Sequence, residues 1–179
     1  MVGVAAEMRV VAMTPEYAAD IISWRYPAPY DCYDAGDVSP GFLVDPRNGF
    51  FALVSGSGEL IGFRSFGADG RVPGGEYDDS ALDTGGGLRP SLTGQGVGLG
   101  RQAIQTGLEF GRCRFAPPAF RVTVASFNIR ALRVVTSLGF SRVSSFAATT
   151  DGRRFEILVR AEAAPAPPVP GCAVVRRCC

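Results

Sequence analysis

Hydrophobic positions along the chain recur with two different periods, and the change between the periods predicts the elements. Short apolar segments bounded by glycine, proline and polar residues predict strands over residues 8–12, 50–54, 60–66, 81–88, 120–125, 140–146 and 154–160. Apolar residues three or four positions apart predict helices over residues 15–24, 98–112 and 129–138. In the last helix the expected core stripe is Ile129, Leu132, Val135 and Leu138. Turn-rich connections at residues 55–59 and 151–152 predict two antiparallel hairpins.

The most informative segment runs from Leu88 to Gly100, between a predicted strand and a predicted helix. From Gly94 to Gly100 every second residue is glycine. Alternate glycines let successive backbone N–H groups approach a ligand, and the following helix adds the positive end of its dipole. The segment therefore indicates a site for a phosphate or pyrophosphate.

Three kinds of glycine loop compete for this segment. A P-loop is excluded because no Gly-Lys-Ser/Thr triplet occurs. A dinucleotide fingerprint at residues 98–103 is disfavoured, because Pro90 interrupts the approach from the strand and residues 120–125 end without an acidic residue for a ribose. The third kind is the acetyl-coenzyme A loop, Arg/Gln-x-x-Gly-x-Gly/Ala. It fits residues 93–98, with Thr93 at the position usually held by Arg or Gln.

A second segment strengthens the third interpretation. The strand predicted over residues 120–125 is followed by Asn128, a helix and the triplet Leu138-Gly139-Phe140. Together with the glycine loop, this order resembles the GNAT superfamily of acyl-CoA N-acyltransferases. The resemblance covers about residues 8–160 and includes an aromatic segment after the first helix, residues 24–33.

The resemblance implies a fold and a cofactor site. The implied fold is mixed α/β, with a largely antiparallel central sheet that is splayed at the cofactor and flanked by helices. Acetyl-CoA is the implied co-substrate, with the backbone of Leu88 and Arg89 holding the pantetheine and acyl carbonyl. Arg101 and Arg130 are candidates for the 3′-phosphate. The other implied cofactor contacts are Gly94, Gln95, Gly96, Val97, Gly98 and Leu99 for the pyrophosphate and Asn128 for the pantetheine arm, where Asn128 also suits a helix cap.

The implied reaction is direct attack by a primary amine, of a small molecule or a protein, on the acetyl group in a ternary complex. Asp83 and Glu76 are candidate general bases, and Tyr26, Tyr30 and Tyr33 are candidates for the acceptor pocket. Val135 stands where the family often has a tyrosine acid. This departure keeps open a non-catalytic acyl-CoA-binding module, and an unrelated nucleotide-binding domain remains a third hypothesis.

Composition narrows the remaining choices. The chain has 179 residues, which suit one domain at residues 1–160 and a flexible Ala/Pro-rich tail at residues 161–179. The lack of histidine excludes histidine triads, bases and metal ligands, and five cysteines without C-x-x-C spacing give no metal site. A net charge of +1 gives no footprint for nucleic acid or membrane. Since no apolar run approaches the roughly 20 residues that span a bilayer, we expect a cytoplasmic protein. The resemblance allows a homodimer.

Overall fold

A computed structural model describes residues 7–163 of the chain. Its centre is a seven-stranded sheet in the order β1-β2-β3-β4-β5-β7-β6. The strands are β1 Met8–Ala12, β2 Phe50–Ser55, β3 Leu60–Phe66, β4 Leu82–Leu88, β5 Ala119–Ala125, β6 Ser141–Ala147 and β7 Arg154–Ala161. Each predicted strand is present, and both predicted hairpins pair antiparallel.

The sheet opens in its middle. All neighbouring strands are antiparallel except β4 and β5, which are parallel and pair only at Leu82 with Phe120 and Asp83 with Arg121. Beyond that point β4 continues to Leu88 while paired only with β3. The unpaired side of β4 therefore borders a gap. The expected mixed and largely antiparallel sheet, splayed between two strands, is confirmed.

Helices cover both faces of the sheet: α1 Pro15–Ile22, α2 Pro40–Val44, α3 Leu99–Phe115 and α4 Ile129–Ser137. The helices α1 and α2 pack with Ala52 of β2, whereas α3 and α4 share a core with Phe51. Since adjacent strand residues point to opposite faces, these two helix pairs lie on opposite sides of the sheet. In α3, a Cβ at Gly111 would lie 2.7 Å from the ring of Phe66, so glycine allows the helix to pack closely.

One local expectation requires correction. Ile129 is 49% exposed and is not a core residue, because it is the first residue of α4, whereas Val135 near the carboxyl end of the same helix is 2% exposed. Residues 25–48, whose lack of a sustained hydrophobic period predicts loop or short helical turns, contain the short helix α2, which begins where Ser39 caps the backbone N–H of Phe42. Its five residues are too few to show a helical period in the sequence.

At the carboxyl end of the described chain, β7 ends at Ala161. The next residue, Glu162, forms ion pairs with Arg112 and Arg160. The ordered contacts thus extend slightly past the domain boundary expected at residue 160. Most of the predicted tail, residues 164–179, lies outside the described residues. None of the helices in residues 7–163 is long and apolar enough to cross a membrane.

Candidate active site

The glycine loop between β4 and α3 has the geometry of an anion-binding turn. Gly94, Gly96 and Gly98 have φ angles of 73°, 71° and 76°. Within residues 7–163, no hydrogen bond occupies the backbone N–H groups from Gly94 to Leu99. Successive free N–H groups around left-handed residues form a concave cradle for an anion, and α3 begins at its edge. The candidate pyrophosphate residues are therefore brought together as expected.

The end of β4 offers backbone groups to the gap. The carbonyl of Asp83 accepts a hydrogen bond from Gly67 N at 2.9 Å, and Arg89 N donates one to Ile61 O at 2.8 Å. The backbone hydrogen-bonding groups of Asp83 and Arg89 therefore point toward β3. Because hydrogen-bonding direction alternates along an antiparallel strand, the N–H groups of Gly86 and Leu88 face the gap. An extended ligand can pair there as an added strand. Leu88 is one of the cofactor contacts expected from the sequence. Gly86 was not expected, but its N–H group faces the same gap.

Arg89 is held by several partners within the protein. Its N–H is bound by Ile61, its carbonyl accepts from Leu92 N at 2.9 Å, and its guanidinium forms an ion pair with Asp20. The same guanidinium lies 5.4 Å from the ring centre of Trp24. Arg89 therefore fixes α1 to the end of β4 and has no free N–H group. Its carbonyl can accept one further hydrogen bond, and its contact with the pantetheine or acyl carbonyl stays a prediction.

Asn128 has two partners within the protein. Its Oδ1 accepts from Ala131 N at 3.1 Å and caps α4, and its Nδ2 donates to Tyr33 Oη at 3.2 Å. The expected cap is confirmed. A contact between Asn128 and a pantetheine arm requires the amide to exchange its bond with Tyr33, and this contact stays a prediction.

The three candidate tyrosines occupy two places. Tyr26 Oη donates to the carbonyl of Leu88 at 2.7 Å, beside the gap. Burial and the charge of Asp34 raise the pKa of Tyr26 to about 12, so its hydroxyl stays protonated at neutral pH. Tyr30 and Tyr33 instead pack on Phe127 near the start of α4.

Basic side chains flank the glycine loop. Arg130 Nε donates to Tyr30 Oη at 3.1 Å and its guanidinium lies 4.5 Å from that ring centre. A Cβ at Gly94 would lie 2.8 Å from Arg130 Nη1, which places this cation directly beside the anion cradle. Arg101 donates to Ser137 Oγ and so joins α3 to α4. Of the two arginines, Arg130 lies beside the loop, whereas Arg101 contacts the last residue of α4, and a contact of either with the 3′-phosphate stays a prediction.

The two candidate bases have contrasting surroundings. The carboxylate of Asp83 is 2% exposed and accepts from Arg121 Nε at 2.6 Å and Arg71 Nε at 2.8 Å. With each oxygen bound by a guanidinium, Asp83 is poorly disposed to accept a proton from an amine. Glu76 is exposed, and its neighbour Tyr77 bonds to Thr123 of β5. The structure thus leaves Glu76 the accessible carboxylate of the pair.

Sequence reasoning missed Arg64. This residue lies in β3, is 5% exposed and hydrogen bonds through Nη2 to Thr84 Oγ1 at 2.9 Å. The available signal was an arginine inside a largely apolar predicted strand, residues 60–66, which precedes a strand with three consecutive glycines.

Comparison with known proteins identifies the fold through solved structures and not through sequence matches. No protein-family model matches the sequence, and no curated protein matches it significantly. A GNAT-family acetyltransferase from Bacillus anthracis superposes with a TM-score of 0.65, at 14% identity over 88% of this chain and 97% of that one. A SpeG spermidine N-acetyltransferase chimera from Vibrio cholerae and hSSAT gives 0.67, at 15% identity over 87% and 96%.

Aminoglycoside acetyltransferase AAC(6′)-Ib, in complex with coenzyme A, gives a TM-score of 0.66 at 17% identity over 87% of this chain and 95% of that chain. All three comparisons span most of both chains. The protein therefore has the GNAT acetyltransferase fold, as the resemblance of its two sequence motifs implied.

Proposed function

We propose that the protein is an N-acetyltransferase that transfers the acetyl group of acetyl-CoA to a primary amine of a small molecule or protein. The observation that carries the proposal is the junction of the β4–β5 gap with the glycine loop. The gap exposes the N–H groups of Gly86 and Leu88, and it leads directly to the unoccupied N–H groups of residues 94–99. A pantetheine diphosphate needs this combination of an open strand edge and an anion cradle.

The order of the glycine loop and the open edge of β4 indicates how acetyl-CoA would bind. Its pyrophosphate binds the cradle at Gly94, Gln95, Gly96, Val97, Gly98 and Leu99, where Arg130 adds positive charge. The pantetheine arm then runs back along β4 and pairs with Leu88 and Gly86. Asn128 orients the arm from the opposite side of the gap, at the start of α4.

The chemistry is direct attack. A neutral amine attacks the thioester carbon, the C–N bond forms, the C–S bond breaks, and the sulfur leaves with the electron pair. A backbone N–H of β4 stabilises charge on the carbonyl oxygen, and positioning supplies much of the rate. Glu76 accepts the proton of the amine directly or through water, and Tyr26, beside Leu88, borders the acceptor.

Proteins that share the fold support an amine acceptor. The similar structures include a spermidine N-acetyltransferase and an aminoglycoside acetyltransferase in complex with coenzyme A. One of these proteins acetylates spermidine and the other was solved with coenzyme A, which favours acetyl transfer to an amine for this chain as well.

A second candidate function is binding of acyl-CoA without turnover. It is favoured by Val135, an aliphatic residue 2% exposed, at the helical position where the resemblance leads us to expect a tyrosine acid. Saturable binding of acetyl-CoA without acetylation of any amine in a broad panel would select this alternative.

The deciding experiment is calorimetric titration with acetyl-CoA of the wild type and Gly96→Glu. Gly96 has open space around its α-carbon, so the variant places bulk and negative charge in the cradle without a clash inside the protein. Gly58→Glu is the matched control, since Gly58 also has positive φ and open space but lies in the β2–β3 turn. We expect 1:1 binding by wild type and Gly58→Glu and at least about a hundredfold loss in Gly96→Glu. Absence of wild-type binding would refute the proposal.

A further inference from the structure

Arg64 is a buried cation without a carboxylate partner. Within residues 7–163 the one hydrogen bond of its side chain goes to Thr84 Oγ1, Nε has no partner, and no ion pair includes it. Burial lowers its pKa to about 10, so the guanidinium still carries its charge at neutral pH. An uncompensated charge in the core is unfavourable, and a ligand that brings negative charge would compensate it.

Two glycines leave room for this side chain. A Cβ at Gly107 of α3 would lie 2.6 Å from Arg64 Nε, and a Cβ at Gly86 of β4 would lie 2.9 Å from Arg64 Nη1. The contacts with Gly86 and Thr84 show that the guanidinium has crossed from β3 to β4. It lies on the side of the sheet that α3 and α4 cover, directly at the strand that borders the gap.

The position of Arg64 coincides with the reacting end of the proposed cofactor. The glycine loop follows β4, so a pantetheine arm that starts there runs back along the strand past Leu88 and toward Gly86. These two residues are about 7 Å apart along an extended strand. The sulfur of the arm therefore arrives beside Gly86, the residue at which a Cβ would lie 2.9 Å from Arg64 Nη1.

We propose that Arg64 binds the coenzyme A sulfur as a thiolate and stabilises it as the leaving group, an inference that rests on the function proposed above. In the transfer, the C–S bond breaks and its electron pair stays on sulfur, where the guanidinium charge compensates it. The proton lost by the amine passes to the base or water, and the thiolate later takes a proton from solvent. Arg64 thus supplies by charge what a tyrosine at the position of Val135 would supply by proton donation.

The test compares coenzyme A with acetyl-CoA, whose sulfur does not ionise. We would measure both dissociation constants by calorimetry between about pH 6 and pH 9, on either side of a thiol's ordinary pKa of about 8.5. If Arg64 favours the thiolate by one pKa unit or more, affinity for coenzyme A relative to acetyl-CoA rises about tenfold across this range. Other titrating groups act on both ligands and cancel in the ratio.

Arg64→Met removes the charge and keeps a long side chain. We expect a flat affinity ratio and roughly a hundredfold fall in kcat with acetyl-CoA, but little change in acetyl-CoA affinity. Arg9→Met is the control for net charge, because Arg9 is exposed on the edge strand β1, and it should behave as wild type. Arg64→Lys keeps a charge at a shorter reach and should restore part of the pH dependence.

Several outcomes would overturn the inference. If the wild-type affinity for coenzyme A relative to acetyl-CoA does not change with pH, the inference is wrong. This result needs no variant, so it holds even if Arg64→Met fails to fold. An unchanged kcat in folded Arg64→Met would overturn the inference as well. Tighter binding of succinyl-CoA than butyryl-CoA that depends on Arg64, with a flat coenzyme A ratio, would assign the guanidinium to an acyl carboxylate instead. A wild type that binds neither coenzyme A nor acetyl-CoA would refute the proposed function itself.

Discussion

The hydroxyl of Tyr26 donates a 2.7 Å hydrogen bond to the backbone carbonyl of Leu88, 62 residues further along the chain. This bond ties the segment after α1 to the end of β4, beside the gap. A carbonyl that faces the gap would otherwise be open to the pantetheine arm or to water. The contact therefore joins a candidate acceptor-binding residue to a candidate cofactor-binding residue.

Tyr26→Phe tests this bond. We expect a loss of about 1 kcal/mol in the free energy of unfolding, the net contribution of an ordinary hydrogen bond, because the ring can keep its packing. If Tyr26 borders the acceptor, KM for the amine rises while the dissociation constant of acetyl-CoA changes little. Urea denaturation and steady-state kinetics measure the two effects, and an unchanged KM would remove Tyr26 from the acceptor pocket.

Asn128 can be tested for its two roles separately. Asn128→Ala should destabilise the protein by about 1 kcal/mol, since Ala131 N loses its cap, while Asn128→Ser should recover most of that stability. If Asn128 also contacts the pantetheine arm, both variants should weaken acetyl-CoA binding, because serine is too short to reach the gap. Recovery of binding together with stability in Asn128→Ser would limit the residue to capping.

Asp83 and Glu76 should separate into structural and catalytic carboxylates. Asp83→Asn leaves the buried Arg121 guanidinium with reduced compensation, so we expect a loss of about 3 kcal/mol or more in unfolding free energy. Glu76→Gln changes an exposed residue and should leave stability unchanged while lowering kcat by roughly a hundredfold. A stable Asp83→Asn with strongly reduced kcat would reverse these assignments.

Gly86 and Gly85 differ sharply in the space that they offer. A Cβ at Gly86 would lie 2.4 Å from Phe63 O, whereas one at Gly85 would lie 3.1 Å from Ser65 Oγ and 4.0 Å from Gly70 Cα. Gly86→Ala should therefore cost about 1–3 kcal/mol of stability by pushing β4 away from β3, and Gly85→Ala much less. Denaturation curves of the two variants give the comparison. Equal losses would mean that the strands do not approach as closely as described.

Asp78 gives a prediction for acid stability. Hydrogen bonds from Ser80 and Arg121 lower its pKa to about 2, from an ordinary value of 3.8. The folded state therefore favours the carboxylate, and this contribution is present above the unfolded pKa and lost as pH falls through the folded one. The stability difference between wild type and Asp78→Asn should shrink between pH 4 and pH 2. If the difference in stability between wild type and Asp78→Asn does not change with pH, this prediction is wrong.

Much of the fold was predictable because its signals are local. Thr14 and Pro15 mark the start of α1, and Asn128 caps α4 where the sequence placed it. The cradle was predictable as well, since its three left-handed residues are glycines at alternate positions. The bounds of α2 were not predicted, because so short a helix shows no hydrophobic period.

The charged residues of the site were harder to predict. Asp83 and Glu76 are both acidic residues near one strand, yet one is buried between guanidiniums and the other is exposed. Arg89 follows Leu88 directly, yet its backbone turns toward β3 and its side chain toward Asp20. Their partners lie far away in the sequence, so no local pattern distinguishes the alternatives.

The sequence by itself determined where the backbone turns, where helices begin, and that an anion cradle follows a strand, because these depend on propensities of neighbouring residues. Only the tertiary structure decided that β4 and β5 separate after two pairs, that Arg89 is occupied, and that Arg64 is a buried charge. Burial and charge compensation depend on which distant strands and helices meet. For that reason the partners of these charged residues could not be predicted from the sequence alone.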